Sequence, residues 1–128
     1  MLYRIYKAFV ITSISSENLD ESKALKRLMR KLTVETLWIY VVRVLMDFGP
    51  MRAYDIRKKL VAVLELKIPA ITVYSVIYKL RGEGIIEQVK VGDEMLYRVT
   101  SRGIEEFKRA LRFLENVISK LRFEEAKP

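Results

Sequence analysis

Residues 69–103 read PAITVYSVIYKLRGEGIIEQVKVGDEMLYRVTSRG, and the two halves of this stretch follow different periodicities. In the first half Val73, Ile77 and Leu80 recur at spacings of four and three, which predicts a short helix over residues 72–80 with one buried stripe. Pro69 blocks an earlier helical start and Thr72 is the expected N-cap. Gly82 and Gly84 close the element, because glycine takes the left-handed conformation that ends helices. In the second half Val89 and Val91, then Met95, Tyr97 and Val99, alternate with polar residues around Gly92-Asp93, a two-residue turn that needs positive φ. A short helix running straight into a tight hairpin over residues 85–100 is the sequence shape of a winged helix.

The residues before it complete that shape. Val34, Leu37, Trp38, Val41, Val42, Leu45 and Met46 form a wide apolar stripe, expected of a central core helix that starts at Thr33 with Glu35 in its first turn. Trp38 sits inside that stripe and reads as a core residue before a ligand-stacking one. Gly49-Pro50 is the strongest stop signal in the chain. Beyond it Tyr54, Ile56, Leu60, Val61 and Leu64 predict a second helix ending near Lys67, with Arg52, Arg57, Lys58 and Lys59 on or beside it. The order over residues 33–100 is therefore helix, turn, helix, short loop, helix, hairpin, expected to form a winged helix-turn-helix domain.

The two ends are different in kind. Residues 1–32 read as an N-terminal extension, in which Leu2, Ile5, Tyr6 and Phe9 fit a helix while residues 10–12 prefer strand. Asn18 and Glu21 have the spacing of a capping box. Leu25, Leu28, Met29 and Leu32 then make an apolar stripe opposite Lys23, Lys26, Arg27, Arg30 and Lys31, a face that suits phosphates or a membrane surface, or that is simply solvated. Only Thr33 separates this helix from the next, so continuity of the two stays open. Over residues 101–124 Ser101 is the expected cap of a long helix, with Glu105 and Glu106 at its positive end and Lys120 and Arg122 at its negative end. Ile104, Phe107, Leu111, Leu114, Ile118 and Leu121 repeat at three and four, the seam of a coiled coil. That seam predicts a dimerisation helix; packing on its own domain is the alternative.

Composition restricts function. A chain of 128 residues suits one domain. The absence of cysteine and histidine removes thiolate chemistry, the commonest metal ligand and the commonest general base, so neither catalysis nor a cofactor is expected. Acidic pairs such as Glu105-Glu106 and Asp93-Glu94 read as helix-start and turn chemistry. A formal charge of +8 suits a polyanionic partner. The most apolar run, residues 34–48, is interrupted by Glu35, Arg43 and Asp47, and the apolar patch in residues 1–14 has no cleavage site after it. A cytoplasmic protein without a membrane span is expected.

Three ordered motifs resemble the PadR family of winged-helix transcriptional regulators. Residues 49–56, GPMRAYDI, are similar to that family's Gly-Pro-Met-His-Gly-Tyr-Glu-Ile. Thr72-Val73-Tyr74, Leu80 and Gly84-Ile85-Ile86 are similar to its Thr-Leu-Tyr, Leu and Gly-Leu-Ile, and residues 97–103, YRVTSRG, to its Tyr-x-Leu-Thr-x-x-Gly. Arg52, Ala53 and Arg81 depart from the family's usual His, Gly and Glu. The resemblance covers about residues 33–121. It implies dimeric operator binding as a repressor, with the carboxy-terminal helix forming the dimer and sometimes a small-molecule effector site at the interface. Residues 1–28 lie outside it, and Met29 would make a sensible start for a typical member, so an upstream start chosen in error is one reading of them.

In a winged helix the third helix of the domain lies in the major groove. With Val73, Ile77 and Leu80 turned inward, Thr72, Ser75, Tyr78 and Lys79 fall opposite and form the expected DNA-contact set, with Tyr74 between the faces. Lys90 near the wing tip and Arg52, Lys58 and Lys59 from the second helix are the expected backbone or minor-groove contacts. The set is short of Asn, Gln and Arg, so shape and phosphate contacts are expected to carry much of the specificity. The competing expectation is a winged domain used for protein assembly; an apolar exposed patch on the third helix and wing would favour that reading, a basic third helix and wing DNA.

Overall fold

A computed structural model of the chain describes residues 21–126; Asn18 and residues 1–14, whose pattern is divided between helix and strand, lie outside them. The described part is mainly helical, with one two-stranded antiparallel hairpin. In order come α1 (Lys23–Lys31), a 3-10 turn (Val34–Thr36), α2 (Leu37–Phe48), α3 (Ala53–Leu64), α4 (Ala70–Gly82), β1 (Ile86–Val91), β2 (Glu94–Val99) and α5 (Ser101–Leu121).

The core gathers on α2, which contacts α3, α4, β2 and α5. Leu37, Val41, Val42, Val44 and Leu45 are buried along it, a stripe wide enough to meet neighbours on several sides. Ile56, Leu60, Val63 and Leu64 of α3, Ile68 in the following loop and Val73, Ile77 and Leu80 of α4 fill the space beside it. Each fully buried side chain of this kind contributes roughly 1.5–3 kcal/mol. Trp38 is half-buried and packs against this cluster, as a core side chain at its edge.

Several boundaries differ from the expectation. α1 is capped by Ser22, whose Oγ accepts from the Leu25 N–H at 3.1 Å, and not by Asn18. α1 and α2 are not continuous. Thr33 does not start a helix but is buried between them, its hydroxyl donating to the Met29 carbonyl at 2.8 Å. The 3-10 turn follows, so α2 begins at Leu37. α3 ends at Leu64, short of Lys67, because Glu65 takes a left-handed conformation at φ 50°. α4 begins at Ala70, two residues before Thr72, and Pro69 is its N-cap: proline lacks an N–H that the cap position does not need. Thr72 is thus a first-turn residue whose N–H bonds the Pro69 carbonyl at 3.0 Å. α5 is capped by Thr100 and not by Ser101.

The hairpin pairs Ile86 with Val99 through Val91 with Glu94, around Gly92 at φ 62°. This register places Tyr97 and Val99 on the face shared with Ile86, while Val89 and Val91 lie on the other face with Leu96. A third short edge comes from Met51, which exchanges both backbone hydrogen bonds with Tyr97 at 2.8 and 3.1 Å directly after the Gly49-Pro50 stop.

One junction ties α4, the hairpin and α5 together. Gly84 at φ 75° ends α4 and lets the Ile85 N–H reach back to the Leu80 carbonyl at 2.9 Å. The Thr100 hydroxyl donates toward the Gly84 carbonyl at 2.6 Å and accepts from the Gly103 N–H at 3.0 Å. Gly103 is buried there, and a Cβ on it would collide with the Ile85 carbonyl oxygen and press on Val99 Cγ2 at 2.8 Å. We expect Gly103→Ala to lower stability by about 1–3 kcal/mol in denaturant unfolding despite alanine's better helix propensity. Gly82→Ala, with nothing within 4 Å of the added Cβ, is expected to be neutral or slightly stabilising.

Candidate nucleic-acid interface

Burial of Val73, Ile77 and Leu80 turns the opposite side of α4 to solvent. Of the expected contact set, Ser75, Tyr78 and Lys79 are exposed, Tyr78 by 78%, and Thr72 is half-buried. Two further residues join them. Ile71 is 78% exposed and lies four residues before Ser75, while Tyr74 is exposed on the shoulder of the same face. A helix starting at Thr72 excludes Ile71 from the expected set, and the same spacing rule extended by one turn includes it. Arg81 is exposed on the shoulder shared with Tyr74, and Lys79 flanks the strip on its other side.

The remaining expected contacts are not alike. Arg52 is held by carboxylates: Nε donates to Asp55 Oδ2 at 2.8 Å, and Nη1 lies 3.9 Å from Glu94 Oε1 across on the hairpin. A phosphate at Arg52 competes with both. Lys58 and Lys59 extend over aromatic rings, 5.5 Å from the Tyr54 centroid and 4.3 Å from that of Phe48, with their ammonium groups on the surface. Arg57, which the sequence groups with them, instead bonds the Ile68 carbonyl at 3.1 Å and fixes the loop before α4. Lys90 is exposed and, among the described residues, in no ion pair. The hairpin as a whole carries Lys90 and Arg98 against Glu87, Asp93 and Glu94, and Arg98 is bonded to Glu87 at 2.6 Å. Its charge is therefore not basic, contrary to what a phosphate-gripping wing requires.

A second basic area is contributed from outside residues 33–100. α1 holds five cations and no carboxylate, and its Lys26 and Arg30 line one hollow with Lys67 and Thr72 beside the start of α4. Glu21, with one buried carboxylate oxygen that bonds nothing among the described residues, lines the same hollow. Sequence pattern shows the basic face of α1 but not that it borders α4.

The expected dimerisation seam divides along α5. Phe107 is only 5% exposed, buried in the core of its own chain, and Ile104 is half-buried. Exposure then rises to 54% at Ile118 and 74% at Leu121. Leu111, Leu114 and Ile118 form one wall of an apolar trough of about 580 Å³ whose other walls include Leu25 and Leu28 of α1, Leu32 just after it, and Ile39 and Tyr40 of α2. No residue of α1 is fully buried, so its apolar stripe lines this open trough and does not close it.

Among the described residues no helix is long and apolar enough to cross a membrane, and no cluster of carboxylates is arranged to hold a metal ion. The chain matches no protein-family model and no curated protein.

The hydrogen bond from Arg52 holds the Asp55 carboxyl below its ordinary value, with the coulombic pull of the same guanidinium adding to it. A depressed carboxyl contributes stability that is present above the unfolded value, about 3.9, and is lost as pH falls through the folded one. In Arg52→Ala the Asp55 carboxyl is expected to titrate at higher pH than in the native chain, measured by carboxyl-carbon NMR; an unchanged midpoint would mean that the pair does not form in solution.

Proposed function

We propose that the chain is a dimeric, sequence-specific DNA-binding transcriptional regulator with a winged helix-turn-helix domain, of the PadR-like type and acting as a repressor. The order of α2, α3, α4 and hairpin supports the winged reading. The observation that carries the DNA reading is the outward face of α4, uncovered by the rest of the described chain and edged by Lys79 and Arg81. In this reading α4 lies in the major groove, and Thr72, Ser75, Tyr78 and Lys79 meet base edges and phosphates. Lys58 and Lys59 take flanking phosphates. The hairpin's balance of charge gives it a minor share, with Lys90 as its contact.

The pairing of two copies is supported by the trough along α1 and α5. Leu111, Ile118 and Leu121 are the part of the seam left exposed, with Leu114 half-buried, whereas Phe107 serves the chain's own core. A twofold pair implies a pseudo-palindromic site whose half-sites lie about 34 Å apart or a multiple of that.

The exposed Ile71 and Tyr78 favour a second reading, a winged domain that docks another protein through α4. Salt dependence separates the two. Binding to duplex DNA, followed by fluorescence anisotropy from low to high salt, is expected to weaken with a log–log slope of about −0.9 per phosphate neutralised. Lys79→Ala is expected to make that slope shallower by about one contact. A flat titration, or no binding to any duplex in a randomised pool, would contradict the DNA reading. By native mass spectrometry we expect a species of twice the 15.0 kDa chain mass, converted to monomer in Ile118→Glu. A monomeric native chain at micromolar concentration would contradict the pairing.

A further inference from the structure

We propose that α4 reads thymine: its outward strip is built to pack against the C5-methyl groups in the floor of the major groove. This rests on the duplex-binding reading above and specifies the bases that such a surface selects.

Ile71 and Tyr78 are the two most exposed large apolar side chains of the chain's candidate interface, and with Ser75 between them they follow one line along α4. Nothing along that line carries the amide fork that pairs with adenine or the guanidinium fork that pairs with guanine; Ser75 bonds either kind of base. Arg81 and Lys79 stand at the two edges, where they are suited to charge and not to the floor. Around Tyr78, in the last turns of α4, the helix is therefore apolar in the middle with one cation on each side. The major groove is its complement, with base edges along the floor and phosphates along both walls, and the thymine methyl is the one apolar group that the floor presents. An apolar protein surface would cover Ile71 and Tyr78 equally well but would leave the flanking cations opposite no anions. Ile71 takes no part in the core that Val73, Ile77 and Leu80 fill, so its side chain is free to meet a partner.

The test begins with duplexes that the full chain retains from a random pool, which are expected to be enriched in thymine at the contacted positions of each half-site. The same duplexes are then resynthesised with deoxyuridine for thymine, a change that deletes only the methyl. Affinity is expected to fall about fourfold per contacted methyl, the value of one buried methylene-sized group. In Ile71→Ala, a surface change whose folding is checked by thermal unfolding, the difference between thymine and uracil duplexes is expected to shrink. In Lys79→Ala both duplexes weaken together and the difference persists. Retained duplexes without thymine enrichment, or with equal affinity after uracil substitution, would overturn this inference and leave the DNA-binding reading standing. A pool from which nothing is retained would overturn both.

Discussion

Three side chains set the orientation on which this surface depends. Val73, Ile77 and Leu80 are buried against α2 and α3, and because a helix presents its residues about every 100°, burying that stripe forces Ile71, Ser75 and Tyr78 outward. Rolling α4 to hide Ile71 and Tyr78 would expose three core residues at roughly 1.5–3 kcal/mol each. The exposed apolar strip is thus held in place by the larger apolar contact behind it. A rigid element presenting a fixed face is what groove recognition needs, since a helix free to roll would lose its register with the bases.

The ends of α4 are fixed just as firmly. Pro69 and the Arg57 bond to the Ile68 carbonyl set where the helix begins, and the Gly84 turn with the Thr100 hydroxyl sets where it stops and the hairpin starts. Gly103 lets α5 approach Ile85 closely enough to close that junction. The same junction aims α5 away from the core after Phe107, leaving its later apolar positions beside α1 in an open trough. The proposed contact with DNA and the proposed pairing of two copies would therefore depend on one shared framework, with α4 and α5 meeting at residues 84–103.

Periodicity made most of the framework legible. The α4 stripe, the Gly92-Asp93 turn and the stop at Gly49-Pro50 all follow from local rules, and each is present. The errors came where a residue type allows two local roles. Pro69 serves as the cap where it was expected only to block, which hid Ile71. Thr33 reads as a helix start and Ser101 as a cap, but Thr33 precedes only a 3-10 turn, α2 begins at Leu37, and Thr100 caps α5. The candidate site was less legible because charges act through space. The Arg52–Asp55 spacing of three is readable on a helix, but the reach of Glu94 to Arg52 depends on how the hairpin packs on α2 and pairs with Met51. The nearness of Lys26 and Arg30 to the start of α4 likewise depends on how α1 is turned by the buried Thr33.

The central claim is that the outward side of α4 is the surface that meets a duplex. Amide chemical-shift mapping of the full chain on adding a retained duplex tests it directly. The account predicts the largest changes at Ile71, Ser75, Tyr78 and Lys79, with smaller ones at Lys58 and Lys59 and little along residues 111–121. Changes concentrated on α5 or the hairpin, with α4 silent, would contradict it.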